Sequence, residues 1–312
     1  MDKNSIQDRI MDFVNILPEV KSVKAYGSSI AFQAGYKESE KKQVDLIVIV
    51  DDIKEFYTKS LKINSYMYNL VPKLYFTLAD TKDLKSSASI CYTSNIEYKN
   101  DTFKMGVIEK EDVIDDLLNW KTFYIAGRFQ KEIFTAISDE QIERANEINK
   151  QNALTIALLM LDKEKPTTID LYETLCSLSY MGDSRKKFKA EDPNKVKKLA
   201  SGSKEFFDRE YRDKTNIFME KENGTLFIDY KMLLKKIDNL PTNLKDEIYN
   251  TINSNKSMLE NLKNIRKIIR KYLTTIISTS SKGQTMKGLL TTGPINSVSY
   301  VYAKLKKGRK KN

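Results

Sequence analysis

Ile6, Ile10, Phe13, Val14 and Leu17 recur at helical spacing along the first stretch of the chain, and Pro18 ends that pattern. The period then changes to that of a strand. Val20 to Tyr26 runs into the small-residue turn Gly27-Ser28-Ser29, and Val44 to Val50 is apolar on both sides apart from Asp45, as in a buried central strand. Asp51-Asp52 caps a helix predicted from Ile53 to Leu61, and Leu74 to Leu78, Ser89 to Thr93 and Phe103 to Ile108 read as further strands.

Glu111 and Asp112 open a long helix with Ile114, Leu117, Leu118 and Ile125 on its apolar side, which would place Lys121 and Arg128 together, seven residues apart. Asp139 to Leu161 is helical, Pro166 interrupts, and Leu171 to Met181 resumes. Asn223-Gly224, between Ile217-Phe218 and Leu226-Phe227-Ile228, predicts a hairpin. Leu262, Ile265, Ile269, Leu273 and Ile276 define a basic amphipathic helix, followed by a Gly/Ser/Thr linker and a last segment. The expected organisation is an α/β domain over residues 1–135, a mainly helical winged-helix-like domain over 136–250, and a basic amphipathic tail over 251–312.

The 312 residues suffice for about two domains. No run approaches the roughly 18 apolar residues of a membrane span, and the amino terminus resembles neither a secretory signal nor a transit peptide. The expected place is therefore the cytoplasm of a bacterium. Cys91 and Cys176 stand alone, so buried thiols are expected rather than a disulfide or zinc site. Histidine is absent, which excludes mechanisms that need an imidazole base and leaves acid–base and metal chemistry to carboxylates.

The net charge of +11 is concentrated at one end. Thirteen of the 53 basic residues follow Glu260, where no acid occurs, while the other 40 nearly balance the 42 acids. In the last segment Val298, Val301, Tyr302 and Leu305 form an apolar stripe beside Lys306, Lys307 and further cations. That combination suits a helix lying on anionic lipid; a basic tail without structure and a nucleic-acid contact are the competing readings.

A strand ending in Gly-Ser, followed by a strand that begins with an acid, is the layout with which nucleotidyltransferases of the polymerase β superfamily hold a triphosphate over magnesium. Gly27 permits close approach of the backbone to phosphate, Ser28 or Ser29 can donate a hydroxyl hydrogen bond, and Asp45 supplies a hard oxygen for Mg2+. An ordinary turn beside a strand-edge aspartate fits these residues equally well. The second acid that the superfamily places two residues later is replaced by Ile47. Gly182-Asp183-Ser184-Arg185 combines a flexible turn, an acid and a guanidinium, and is the candidate for a missing ligand.

Longer motifs decide between these readings. Tyr26-Gly27-Ser28 with Gln33-Ala34-Gly35-Tyr36 and Asp45, Asp116 to Lys121 with Tyr124 to Arg128, Leu178 to Asp183, Glu191 to Val196, and Lys287 to Gly293 with Ser297-Val298 together resemble the mitochondrial translocator assembly and maintenance family of peripheral CDP-diacylglycerol synthases. Agreement is weakest over residues 55–90 and 200–275. The resemblance implies a polymerase β-like nucleotidyltransferase domain joined to a winged-helix-like domain, with CTP and phosphatidic acid as substrates and Mg2+ as the metal.

It also implies the roles. Tyr26, Gly27, Ser28, Ser29, Lys121, Arg128 and Arg185 would bind nucleotide, and Asp45 and Asp183 would be catalytic and hold metal, with Asp183 as a base or a second ligand. Trp120 is assigned to the core. The protein would work on the inner face of the cell membrane, with no nucleic-acid partner. A nucleotidyltransferase for a nucleic acid or a small acceptor, and a degenerate adaptor without activity, are the alternatives.

Overall fold

A computed structural model describes residues 3–31, 43–182, 194–221, 223–252, 255 and 257–292. Helix α1 (Lys3–Val14) precedes strands β1 (Ser22–Tyr26) and β2 (Val44–Val50), followed by helices α2 (Ile53–Ile63), α3 (Leu70–Leu78) and α4 (Thr81–Leu84). Strands β3 (Cys91–Tyr98) and β4 (Asp101–Glu109), helices α5 (Lys110–Asn119) and α6 (Ala126–Phe129), and strand β5 (Phe134–Ile137) complete the sheet region. The sheet has the order β3-β4-β2-β1-β5, and only the β2–β4 pair is parallel.

Side-chain alternation divides β2 between two cores. Val44, Leu46, Val48 and Val50 join Val23 and Ala25 of β1 under α1 and α2, while Ile47 and Ile49 face the helical part of the chain. Asp45 shares the Ile47 side, so the face that meets the helices is also the face that carries the candidate acid.

The helical part comprises α7 (Glu140–Met160), α8 (Thr168–Leu178), α9 (Lys195–Gly202), α10 (Lys204–Phe207), α11 (Tyr230–Lys235), α12 (Thr242–Tyr249) and the 35-residue α13 (Met258–Thr292). Asp139 caps α7, and Thr167 with Asp170 forms a reciprocal capping box on α8. The expected hairpin is present: Phe218–Glu220 pairs antiparallel with Leu226–Ile228, and Gly224 takes the left-handed φ of +77° at the turn.

Three local expectations change. Leu74 to Leu78 is helical within α3, because Pro72 and Phe76 point to the core while Leu70, Leu74 and Leu78 face outward, a period that a strand cannot supply. The helix opened by Glu111 and Asp112 stops at Asn119, and Trp120 caps it in the left-handed region at φ +50°. Lys121 and Arg128 therefore do not share a helix face. The supposed linker after Ile276 is helix to Thr292, and the stripe Leu262, Ile265, Ile269 and Leu273 is buried in the protein's own core rather than free for lipid.

Among the described residues, two of the cations after Glu260 are buried as well. Arg266 donates to the carbonyls of Leu159 and Leu161 and pairs with Asp162, and Lys287 donates to the carbonyls of Leu84 and Ser86. No helix among the described residues is long and apolar enough to cross a membrane.

Candidate functional site

Register brings the candidate residues together at one end of the central strands. Tyr26, the last residue of β1, is paired across β2 with Asp45, and on the other side of β2 Asp45 is paired with Lys104 of β4. The chain leaves Tyr26 through the turn Gly27–Ser29, where Gly27 has φ +83° and a Cβ would stand 3.2 Å from Asp45 Oδ2. Any side chain here would be strained and would crowd the carboxylate, so Gly27 leaves the backbone beside Asp45 open to a ligand.

Asp45 is 29% exposed, and Lys104 Nζ lies 3.8 Å from its Oδ1 while resting over the Tyr92 ring at 4.4 Å. Lys104 was not singled out from sequence. The signal was a lysine inside the apolar strand Phe103 to Ile108, at the position that strand pairing sets beside Asp45.

Arg128 is delivered by a loop that one carboxylate organises. Asp116 accepts hydrogen bonds from the backbone N–H of Thr122, Phe123, Ile125 and Ala126 and from the Thr122 hydroxyl, at 2.7 to 3.0 Å. This turns the chain sharply after α5 and starts α6, which carries Arg128 back toward β1. Its guanidinium stacks on Tyr124 at 3.7 Å, donates to the Tyr124 carbonyl, and lies 5.6 Å from the Tyr26 ring. The Tyr26 and Tyr92 hydroxyls are 3.2 Å apart, and burial first, then the Asp45 charge, raises the Tyr26 phenol above its ordinary value. These phenols are therefore neutral hydrogen-bonding groups near pH 7.

Two polar atoms at this place are buried without a hydrogen-bond partner among the described residues, Ser29 Oγ and Arg128 Nε. A hydroxyl and a guanidinium N–H left unsatisfied beside a glycine turn suit an anionic ligand, since buried donors without partners are costly. Ser28, by contrast, is exposed on the turn. Lys121 is exposed and paired with Asp115 at 3.0 Å.

Trp120 is fully buried and donates to Asn149 Oδ1, as expected of a core residue. Ile47, on the same face as Asp45, is fully buried against the helical core, where a second carboxylate would lie in apolar surroundings.

Among the described residues no three acidic, histidine or cysteine side chains gather as a metal cluster. Asp45 alone still fits Mg2+, an ion that commonly uses one or two carboxylates, keeps waters and takes its other oxygens from phosphates. Asp183 and Arg185 lie outside the described residues, as do Gln33 to Tyr36 and the tail residues Val298, Val301, Tyr302, Leu305, Lys306 and Lys307.

The approach to Asp183 is described. Gly182 has φ +76° and a Cβ there would fall 2.5 Å from the Thr274 carbonyl of α13, so this end of the 178–182 segment is pressed against the long helix. Gly127, one residue before Arg128, packs so closely on Ser179 that a Cβ would approach its Cβ to 2.8 Å, and Lys131 bonds both the Gly127 carbonyl and Ser179 Oγ. The Arg128 loop and the segment leading to Asp183 are thus locked together.

The similarity to known proteins covers almost the whole chain. The family model described as phosphatidate cytidylyltransferase, mitochondrial, matches residues 10–307. The chain is 33% identical to the phosphatidate cytidylyltransferase of Schizosaccharomyces pombe over 91% of this chain and 79% of that protein, and 30% identical to the Dictyostelium discoideum protein over 97% and 85%. The human protein of the same description is 29% identical over 94% of this chain and 69% of its own length. With almost the whole length matched, the strands that carry Tyr26, Asp45 and Lys104 and the loop that carries Arg128 included, this chain belongs to the phosphatidate cytidylyltransferase family.

Proposed function

We infer that the protein transfers a cytidylyl group from CTP to phosphatidic acid, giving CDP-diacylglycerol and pyrophosphate, at the surface of an anionic membrane with Mg2+ bound. Family membership supports the reaction; the observation in the site that carries it is the pair of unsatisfied donors, Ser29 Oγ and Arg128 Nε, beside Asp45 and Gly27. These are the groups a triphosphate and its metal need.

A phosphate oxygen of phosphatidic acid attacks the α-phosphorus of CTP as the bond to the departing pyrophosphate breaks. The attacking phosphate monoester is already largely anionic near neutral pH, so the work of the site is positioning and charge stabilisation. Mg2+, held by Asp45 and phosphate oxygens, would neutralise charge on the triphosphate. Arg128, fixed by its stacking on Tyr124, holds phosphate oxygens, and Lys104, 3.8 Å from Asp45, supplies a second cation. Ser28 and Ser29 donate to phosphate, while the neutral Tyr26 and Tyr92 hydroxyls line the same wall. Asp183, as a base or a second metal ligand, and Arg185 and Lys121, as nucleotide-binding cations, are the remaining roles in this reading.

The architecture we propose is a polymerase β-like nucleotidyltransferase domain over 1–135, supported by the glycine turn between antiparallel β1 and β2. A winged-helix-like domain over 136–250 is supported by the hairpin Phe218–Ile228 among helices. In the 251–312 region, α13 belongs to the core, so membrane contact by the tail falls to Val298, Val301, Tyr302, Leu305, Lys306 and Lys307. The relatives named above are described as mitochondrial; for this chain we propose the inner face of a bacterial cell membrane, and subcellular fractionation separates the two places.

The test is direct. Purified protein with CTP, Mg2+ and vesicles containing phosphatidic acid is expected to form lipid-extractable CDP-diacylglycerol, with ATP, GTP and UTP used poorly. Equal use of ATP, or transfer only to a nucleic acid or a small acceptor, sinks the reading. Arg128→Lys is a second expectation: the charge stays but the planar stack on Tyr124 is lost, so the Kd for CTP should rise roughly tenfold with little change in Tm. Unchanged CTP binding in that variant removes Arg128 from the site.

A further inference from the structure

Helix α3 carries an apolar face that the fold leaves uncovered. Leu70, Val71, Leu74 and Leu78 are 72%, 42%, 53% and 79% exposed, and their spacing sets them on one side of the helix. The opposite side anchors it: Pro72 and Phe76 are buried, and Phe76 stacks on Tyr57 at 3.7 Å. Ile63 and Tyr66, in the chain that leads into α3, are exposed as well. Beside the stripe lies a shallow depression of ≈ 380 Å³ lined in part by Val71, Leu74, Tyr75 and Leu78. Since the helix is held by its other face, contact with water gives no reason for four branched aliphatic side chains here, and a contiguous stripe of this kind marks a contact surface.

The surroundings indicate what covers it. Helix α13 packs against α3, and near its end Lys287 is bound to the carbonyls of Leu84 and Ser86, just past α4. The described chain ends at Thr292, five residues and about 7.5 Å of helix beyond Lys287. The next twenty residues, 293–312, carry six basic side chains and no acid. The described chain thus ends within about two helical turns of its contact with the α3–α4 region, and the basic residues follow from there in sequence, with Lys73 on the flank of the stripe by helical spacing.

We propose that the exposed face of α3 is a membrane-contact surface, which inserts Leu70, Val71, Leu74 and Leu78 into the same anionic leaflet that attracts the basic tail. The proposal rests on the lipid-substrate reading above and adds to it an attachment point on the body of the protein. Charge draws the tail to the surface, and the aliphatic stripe sets depth and orientation, so that the body is held in a fixed attitude while lipid phosphate reaches the site.

The experiment compares the full chain with a Leu74→Glu/Leu78→Glu variant and with a Leu74→Phe/Leu78→Phe variant, all at exposed positions where folding does not need the native side chain. The probe is phosphatidylcholine vesicles containing phosphatidic acid, and turnover is also read on a short-chain, water-dispersed phosphatidic acid. The glutamate variant should bind vesicles about tenfold or more weakly, and turn over vesicular substrate correspondingly less, with Tm and turnover of the dispersed substrate unchanged. The phenylalanine variant should bind vesicles as the parent does. Raising the salt should release the glutamate variant completely and the parent only in part, because screening removes the tail's attraction and leaves the apolar one. Vesicle binding by the glutamate variant equal to the parent's, including a case where it instead loses contact with another protein, overturns the proposal. If the parent makes no CDP-diacylglycerol from either form of substrate, the activity reading fails, while the vesicle comparison still decides for or against α3.

Discussion

Asp45→Asn is expected to leave a folded protein whose turnover with Mg2+ is lower by at least about a hundredfold, the order seen when one preorganised charge-stabilising group is lost. The substitution keeps the shape of the side chain and removes its charge. The fold does not depend on that charge, because Asp45 sits at the open end of β2 and its backbone is held by pairing with Tyr26 and Lys104. The site does depend on it. Asp45 is the carboxylate beside the Gly27 turn, and without it Lys104, 3.8 Å away, loses the negative charge that balances it. Initial rates over a range of Mg2+ concentrations, together with a thermal melt, check the expectation. Near-normal turnover at ordinary Mg2+ removes Asp45 from the site.

Asp116→Asn should cost about 3 kcal/mol or more of folding stability and abolish activity without touching a phosphate ligand. The carboxylate is buried and receives five hydrogen bonds, three on Oδ1 and two on Oδ2. An amide can accept on one arm only; its NH2 would then face N–H donors of the loop and leave them buried without acceptors, at about 1–3 kcal/mol for each unsatisfied group. The same bonds hold Phe123 in a left-handed backbone conformation at φ +58°, which non-glycine residues adopt at a cost of about 1 kcal/mol or more. Once the loop relaxes, Arg128 loses its place against Tyr26. Denaturant unfolding measures the first effect and CTP binding the second. A variant as stable as the parent would show that the loop holds its shape by other means.

Much of the α/β part was legible because its signals are local. Val44 to Val50 was recovered residue for residue, since a strand buried on both faces is a continuous apolar run. The cap Asp52 announced its helix by short-range hydrogen bonding. Tyr26, Gly27 and Asp45 could be picked out together because the glycine turn and the strand-opening acid are features of the chain itself. Leu74 to Leu78 misled for the converse reason. A short apolar run fits a strand or a helix, and the arbiter was which side chains found a core to enter.

What the sequence by itself determined was the course of β1, β2 and β4 and of the hairpin, the acid and the glycine turn of the candidate site, the absence of imidazole chemistry and the concentration of positive charge after Glu260. Only the tertiary structure decided which distant residues meet. Lys104 became a partner of Asp45 because β4 joins β2 in parallel at a register that no local pattern encodes. Arg128 reached the site because Asp116 turns the chain back, where periodicity alone continued the helix and aligned it with Lys121. The amphipathic stripe of α13 could be read from its period but not its destination, since an apolar face has the same spacing whether it meets lipid or protein. Burial against the core settled that question for Leu262 to Leu273, and the lack of it leaves the stripe of α3 facing outward. Spacing along a chain fixes which residues share a face; what that face touches is fixed by long-range packing, which is a property of the whole fold.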